Sequence, residues 1–153
     1  MCGWHGDGIS GRVRLVPDPP PFTPVASAVV LIIDHERDVR ALYREYLEFC
    51  GLHVIVAADE RDIPVEAQVS GPDIIVLDLG IPGVDAFETI RQLKSDARTA
   101  DIPVIALSGR PEEEARPARA AGADACLPRP CLPSQVARAI RALLVSRMRP
   151  VEP

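Results

Sequence analysis

Short runs of apolar, largely β-branched residues recur along the chain, and each stops at a residue able to do chemistry. Val29-Val30-Leu31-Ile32-Ile33 stops at Asp34, and Ile74-Ile75-Val76-Leu77 at Asp78. Ile102 to Leu107 stops at Ser108, and the weaker Ala125-Cys126-Leu127 runs into Pro128-Arg129-Pro130. Continuous apolar runs of this length predict strands covered on both faces, as in a parallel sheet. His53 to Ala57 predicts another strand.

Between the strands the apolar spacing changes to that of helices. Val39, Leu42, Tyr43, Tyr46 and Leu47 fall on one face of a helix over Arg37 to Cys50, which Gly51 is placed to end. Pro64 to Val69 predicts a short, weak helix with its proline in the first turn. Ala86, Phe87, Ile90 and Leu93 share a face over Asp85 to Lys94, and Val136, Ile140, Leu143 and Leu144 share one over Pro133 to Met148. Pro111-Glu112-Glu113-Glu114 is a good acidic helix start, but Pro117 then falls inside, so this helix either kinks or begins late. Strands alternating with helices predict an α/β fold, a doubly wound parallel sheet with helices on both faces.

Side by side, the parallel strands bring Asp34, His35, Asp78, Ser108 and Arg129 to one rim, where open α/β sheets carry their sites. Two acids, a hydroxyl and a cation suit a metal ion and a phosphoryl group. Simpler roles exist for each. Asp34 could cap the first helix, Asp78 a loop, and Ser108 could be an ordinary strand-end hydroxyl.

Composition narrows the choice. The 153 residues predict one domain, and an apolar share of 47% with 4% aromatics predicts a core that is aliphatic. A net charge of −5 supplies no basic footprint for nucleic acid. Lys94 is the sole lysine among 17 basic residues, a bias toward arginine that bears on Arg129. Cys2, Cys50, Cys126 and Cys131 form no C-x-x-C pair, and read as thiols of a reducing compartment. No apolar run is long enough to span a membrane, and no secretory pattern opens the chain, so a cytoplasmic location is expected. Residues 1–25, with four glycines and Asp18-Pro19-Pro20-Pro21, read as a disordered tail; 26–147 form the domain and 148–153 a C-terminal tail.

The segments IIDHERDVR (Ile32 to Arg40), PDIIVLDLGIPGVDAFE (Pro72 to Glu88), DIPVIALSG (Asp101 to Gly109), AAGADACL (Ala120 to Leu127) and PRP (Pro128 to Pro130) stand in an order and spacing that resembles the receiver domain of two-component response regulators. The resemblance runs from about Val29 to Leu144. It implies a five-stranded sheet in the order 2-1-3-4-5. It implies that Asp78 is the phosphoacceptor and that Asp34, Asp78 and the Gly80 carbonyl hold Mg²⁺. Ser108 would contact the phosphoryl oxygen, with Gly109 leaving room for it. Arg129 would replace the family's phosphate-contacting lysine, with a bond to Pro130 that is cis in the family.

The departures from the family are informative. His35 stands where receivers carry a second acid, which weakens Mg²⁺ binding or, as a second reading, suits a softer ion such as Mn²⁺ or Zn²⁺. Glu36 is expected to point elsewhere. Arg129 keeps the charge but exchanges a compact ammonium for a longer planar fork that could displace or pair with Asp78. Cys126 occupies the place of an aromatic that swings on activation. The expected function is therefore a stand-alone receiver, taking a phosphoryl group on Asp78 from a histidine kinase or phosphotransferase and signalling by contact with an unknown downstream protein, with no membrane or nucleic-acid partner and no enzymatic role beyond that transfer. The alternative is a degenerate receiver acting as a phosphorylation-independent docking module. A phosphohydrolase of the haloacid dehalogenase kind needs an acid where Gly80 stands.

Overall fold

The computed structural model describes residues 27–57 and 60–148. The expected tails, 1–25 and the end beyond Met148, lie outside them. The described chain alternates strictly: β1 (Val29–Ile33), α1 (Arg37–Phe49), β2 (His53–Val56), α2 (Ile63–Ser70), β3 (Ile74–Asp78), α3 (Ala86–Ser95), β4 (Val104–Ser108), α4 (Pro111–Ala121), β5 (Ala125–Pro128) and α5 (Pro133–Met148). All strands are parallel, in the order β2-β1-β3-β4-β5. β3 and β4 are buried along their whole length, and β1 at all but its first residue, which is why their sequences are continuously apolar.

The two-residue period of the strands divides the core. Val30, Ile32, Val76 and Ile105 face Tyr43 and Leu47 of α1 and Val136 and Ile140 of α5. Leu31, Ile33, Ile75 and Leu77 face Ile63 and Ala67 of α2, Ile90 and Leu93 of α3, and Ala118 and Ala121 of α4. One aromatic departs from the expected aliphatic core. Tyr43 is buried, because its hydroxyl donates to the Cys131 carbonyl at 2.8 Å and so enters the core without an unpaired polar atom. Among the described residues, no helix is long and apolar enough to cross a membrane.

Element ends differ from the sequence reading where backbone chemistry intervenes. α1 ends at Phe49, and Gly51 takes the positive φ of 91° that closes it. β4 starts at Val104, because Pro103 has no N–H to donate to a neighbouring strand. α4 does not begin late: Pro111 opens it, and the Arg110 carbonyl accepts from the N–H groups of Glu113 and Glu114 at 3.0 and 2.9 Å. Pro117 lies inside the helix. Lacking an N–H, it leaves the Glu113 carbonyl without its usual helical donor.

Candidate functional site

Parallel pairing brings the strand ends to one rim. Ile33 is in register with Leu77, Asp78 with Leu107, and Ser108 with Pro128, so the residues at or just past these ends converge. Asp34, Asp78 and Ser108 are buried polar residues in an otherwise apolar sheet.

Both oxygens of each carboxylate already have donors. Asp34 Oδ1 accepts the Glu36 N–H at 2.9 Å, and Oδ2 contacts Arg129 Nη2. The N-cap of α1 is Glu36, so Asp34 tightens the approach to the helix rather than capping it. The backbone carbonyl of Asp34 accepts from Arg40 Nη1 at 2.6 Å. Asp78 Oδ1 accepts the Gly80 N–H at 2.9 Å, and Oδ2 lies 2.7 Å from His35 Nδ1. An ionised carboxylate has no proton to give, so the imidazole donates. Glu36 turns from the acids, as expected, but not from His35: its Oε1 lies 3.9 Å from Nε2.

Arg129 crosses further than the sequence suggested. Its guanidinium pairs with both acids: Nη2 contacts Asp34 Oδ2, and Nε lies 3.5 Å from Asp78 Oδ1, beyond hydrogen-bond reach along its N–H but within ion-pair distance. The longer fork carries the terminal nitrogens past Asp78 to the neighbouring acid. Burial works against the guanidinium charge, but the Asp34 carboxylate more than offsets it and holds Arg129 firmly protonated. Arg129 Nε is buried and lacks a hydrogen-bond partner among the described residues. The Arg129–Pro130 bond is cis. Tyr43 secures the loop beyond it through Cys131.

Ser108 reaches the rim, but its hydroxyl is turned to α4 and donates to Glu114 Oε1 at 2.7 Å. Beside it, a side chain added at Gly109 would meet no atom within 4 Å, so the space is open. The described cysteines, Cys50, Cys126 and Cys131, form no part of this chemistry. Burial pushes the thiols of Cys50, Cys126 and Cys131 up, which keeps them protonated and poorly nucleophilic.

One ligand atom each from Asp34, His35 and Asp78 lies within 4.8 Å of the others. The two carboxylates fit a hard dication, since each oxygen keeps a free lone pair beside its present donor. The imidazole does not fit as it stands, because Nδ1 carries the proton it gives to Asp78. Arg129 competes for the same charge, and with the imidazole counted neutral it leaves one negative charge uncompensated.

Known proteins similar to this chain in sequence or fold are numerous. A family model, the response regulator receiver domain, matches residues 30–141. Response regulator MprA of Mycolicibacterium vanbaalenii is 36% identical over 116 residues, covering 75% of this chain and 49% of the relative. The KDP operon transcriptional regulatory protein KdpE of Escherichia coli is 40% identical over 102 residues, covering 66% of this chain and 44% of the relative. The chain thus spans about half the length of the curated relatives it matches. The structure of chemotaxis response regulator CheY4 of Vibrio cholerae superposes with a TM-score of 0.69 at 25% identity, covering 77% of this chain and 99% of that one.

Proposed function

The chain belongs to the response regulator receiver domain family, and from that premise we propose that Asp78 accepts a phosphoryl group from a histidine kinase or phosphotransferase and that the domain signals through protein contacts. The observation that carries this reading is the buried Asp78 carboxylate at the end of the central strand, with Asp34 and Arg129 beside it. An oxygen of Asp78 attacks phosphorus, the P–N bond to the donor histidine breaks, and an acyl phosphate forms. That oxygen must first give up a donor, His35 on Oδ2 or Gly80 on Oδ1. The Arg129 Nε–H, unpartnered and 3.5 Å from Oδ1, is available to a phosphoryl oxygen. Asp34, Asp78 and the Gly80 carbonyl would hold Mg²⁺, which when bound would offset the negative charge gathered at the transferring group. His35 makes that binding weak, because it supplies no anionic oxygen.

A second reading is a docking module that works without phosphorylation. It is favoured by the donors already on Asp78 and by the pairing of Arg129 with Asp34. In both readings the acidic chain works in the cytoplasm and binds protein rather than nucleic acid or membrane. Incubation with acetyl phosphate and Mg²⁺, followed by intact mass, separates them. The phosphoacceptor reading expects the gain of one phosphoryl group, lost in Asp78→Asn. No gain, or an equal gain in the variant, removes it.

A further inference from the structure

Ser108 is fully buried and its hydroxyl has one proton to give, which goes to Glu114 Oε1 at 2.7 Å. The Arg110 backbone N–H closes the arrangement, 3.1 Å from Ser108 Oγ and 3.3 Å from the same Glu114 oxygen. These bonds tie the last residue of β4 to the first turn of α4, which is acidic at Glu112, Glu113 and Glu114. A hydroxyl given to a carboxylate cannot at the same time be given to a phosphoryl oxygen on Asp78. The two acceptors are anionic and compete for one proton.

We propose that Glu114 is a positioning residue that holds the Ser108 hydroxyl away from Asp78 at rest and loses it when Asp78 is phosphorylated, so that the first turn of α4 registers the state of the site. This rests on the reading of Asp78 as phosphoacceptor and adds the competing partner, Glu114, from which the Ser108 hydroxyl has to be drawn. The route needs no aromatic side chain: Cys126 of β5, in register with Ala106 of β4, offers none, and its thiol feels the Glu114 charge.

The test uses beryllofluoride with Mg²⁺ as the acyl phosphate mimic, titrated by NMR into the native chain, Glu114→Gln, Glu114→Ala, Ser108→Ala and the double variant Ser108→Ala/Glu114→Ala. Glu114→Ala is expected to bind beryllofluoride about tenfold more tightly than native, with Glu114→Gln between them, since the amide oxygen still accepts but carries no charge. In the Ser108→Ala background the Glu114 change is expected to have no effect on affinity, which a merely structural role would not produce. The Glu112 and Glu113 amides are expected to shift on binding in the native chain and not in Glu114→Ala. Equal or weaker binding by Glu114→Ala, or a full effect of Glu114→Ala without Ser108, overturns the positioning role while the phosphoacceptor reading stands. Failure of the native chain to bind any better than Asp78→Asn overturns both.

Discussion

Replacing His35 by aspartate should tighten Mg²⁺ binding by one to two decades. His35 Nδ1 lies 2.7 Å from Asp78 Oδ2 and 3.9 Å from Asp34 Oδ1, so a carboxylate at this position would face a dication held by those two acids. A pair of unit charges 4 Å apart is worth about 1 kcal/mol in water and about 4 kcal/mol at an effective dielectric of 20, and a dication doubles either figure. The His35 side chain is 34% exposed, which favours the low end. The new carboxylate also repels Asp34 and Asp78, which takes back part of the gain. A net of about 1.4 to 2.8 kcal/mol remains, or one to two decades of affinity. The same repulsion has an opposite effect without metal. Histidine→aspartate removes a donor from Asp78 and crowds a third anion into the rim, so the metal-free variant should melt below the native protein and regain more on adding Mg²⁺. Titration calorimetry measures the first effect and thermal melts with and without Mg²⁺ the second. Equal Mg²⁺ affinities would refute the reasoning. Tighter binding by the native protein would mean that the imidazole is itself a ligand.

Three further outcomes follow from particular contacts. Arg129→Met leaves the buried Asp34 carboxylate without its cation, which should cost about 3 kcal/mol of metal-free stability by denaturant melts and increase the stabilisation that Mg²⁺ gives; unchanged stability would mean that the pair is not formed in solution. Burial pushes the Tyr43 hydroxyl up to about 12 from its usual 10, so its contribution is complete below pH 10 and is lost as pH rises through 12, by at most about 2.7 kcal/mol. Tyr43→Phe should cost about 1 kcal/mol at neutral pH, through the unpaired Cys131 carbonyl, and flatten the alkaline decline relative to native; parallel pH profiles would contradict this. Gly122→Ala should destabilise by about 1–3 kcal/mol in the same assay, because Gly122 has φ 121° and a Cβ there would stand 2.7 Å from Lys94 Cγ.

The strand ends were legible because an apolar run broken by one acid leaves few other readings, and Asp34 and Asp78 both fall where that break predicts. The partners on the rim were not legible. Tyr43 meets Cys131 across 88 residues of sequence and Arg129 meets Asp34 across 95, and no local pattern encodes such pairs. Glu114 reads in sequence as an acid favoured at a helix start, which it also is; only its reach back to Ser108 gives it a second role. In sequence Lys94 stands out only as the sole lysine in an arginine-rich chain. Its ammonium donates to the Ile102 carbonyl at 2.8 Å, to Asp124 Oδ2 at 2.9 Å and, more weakly, to the Ala100 carbonyl at 3.5 Å. Three acceptors around one point suit a compact tetrahedral donor, and a planar guanidinium cannot match them.

The most direct measurement locates the phosphoryl group itself. After incubation with acetyl phosphate and Mg²⁺, borohydride reduction converts an aspartyl phosphate to homoserine, which peptide mass mapping places in the chain. The expected result is conversion at Asp78 alone. No converted residue, or conversion at another acid such as Asp34, would contradict the assignment of Asp78 as the phosphoacceptor.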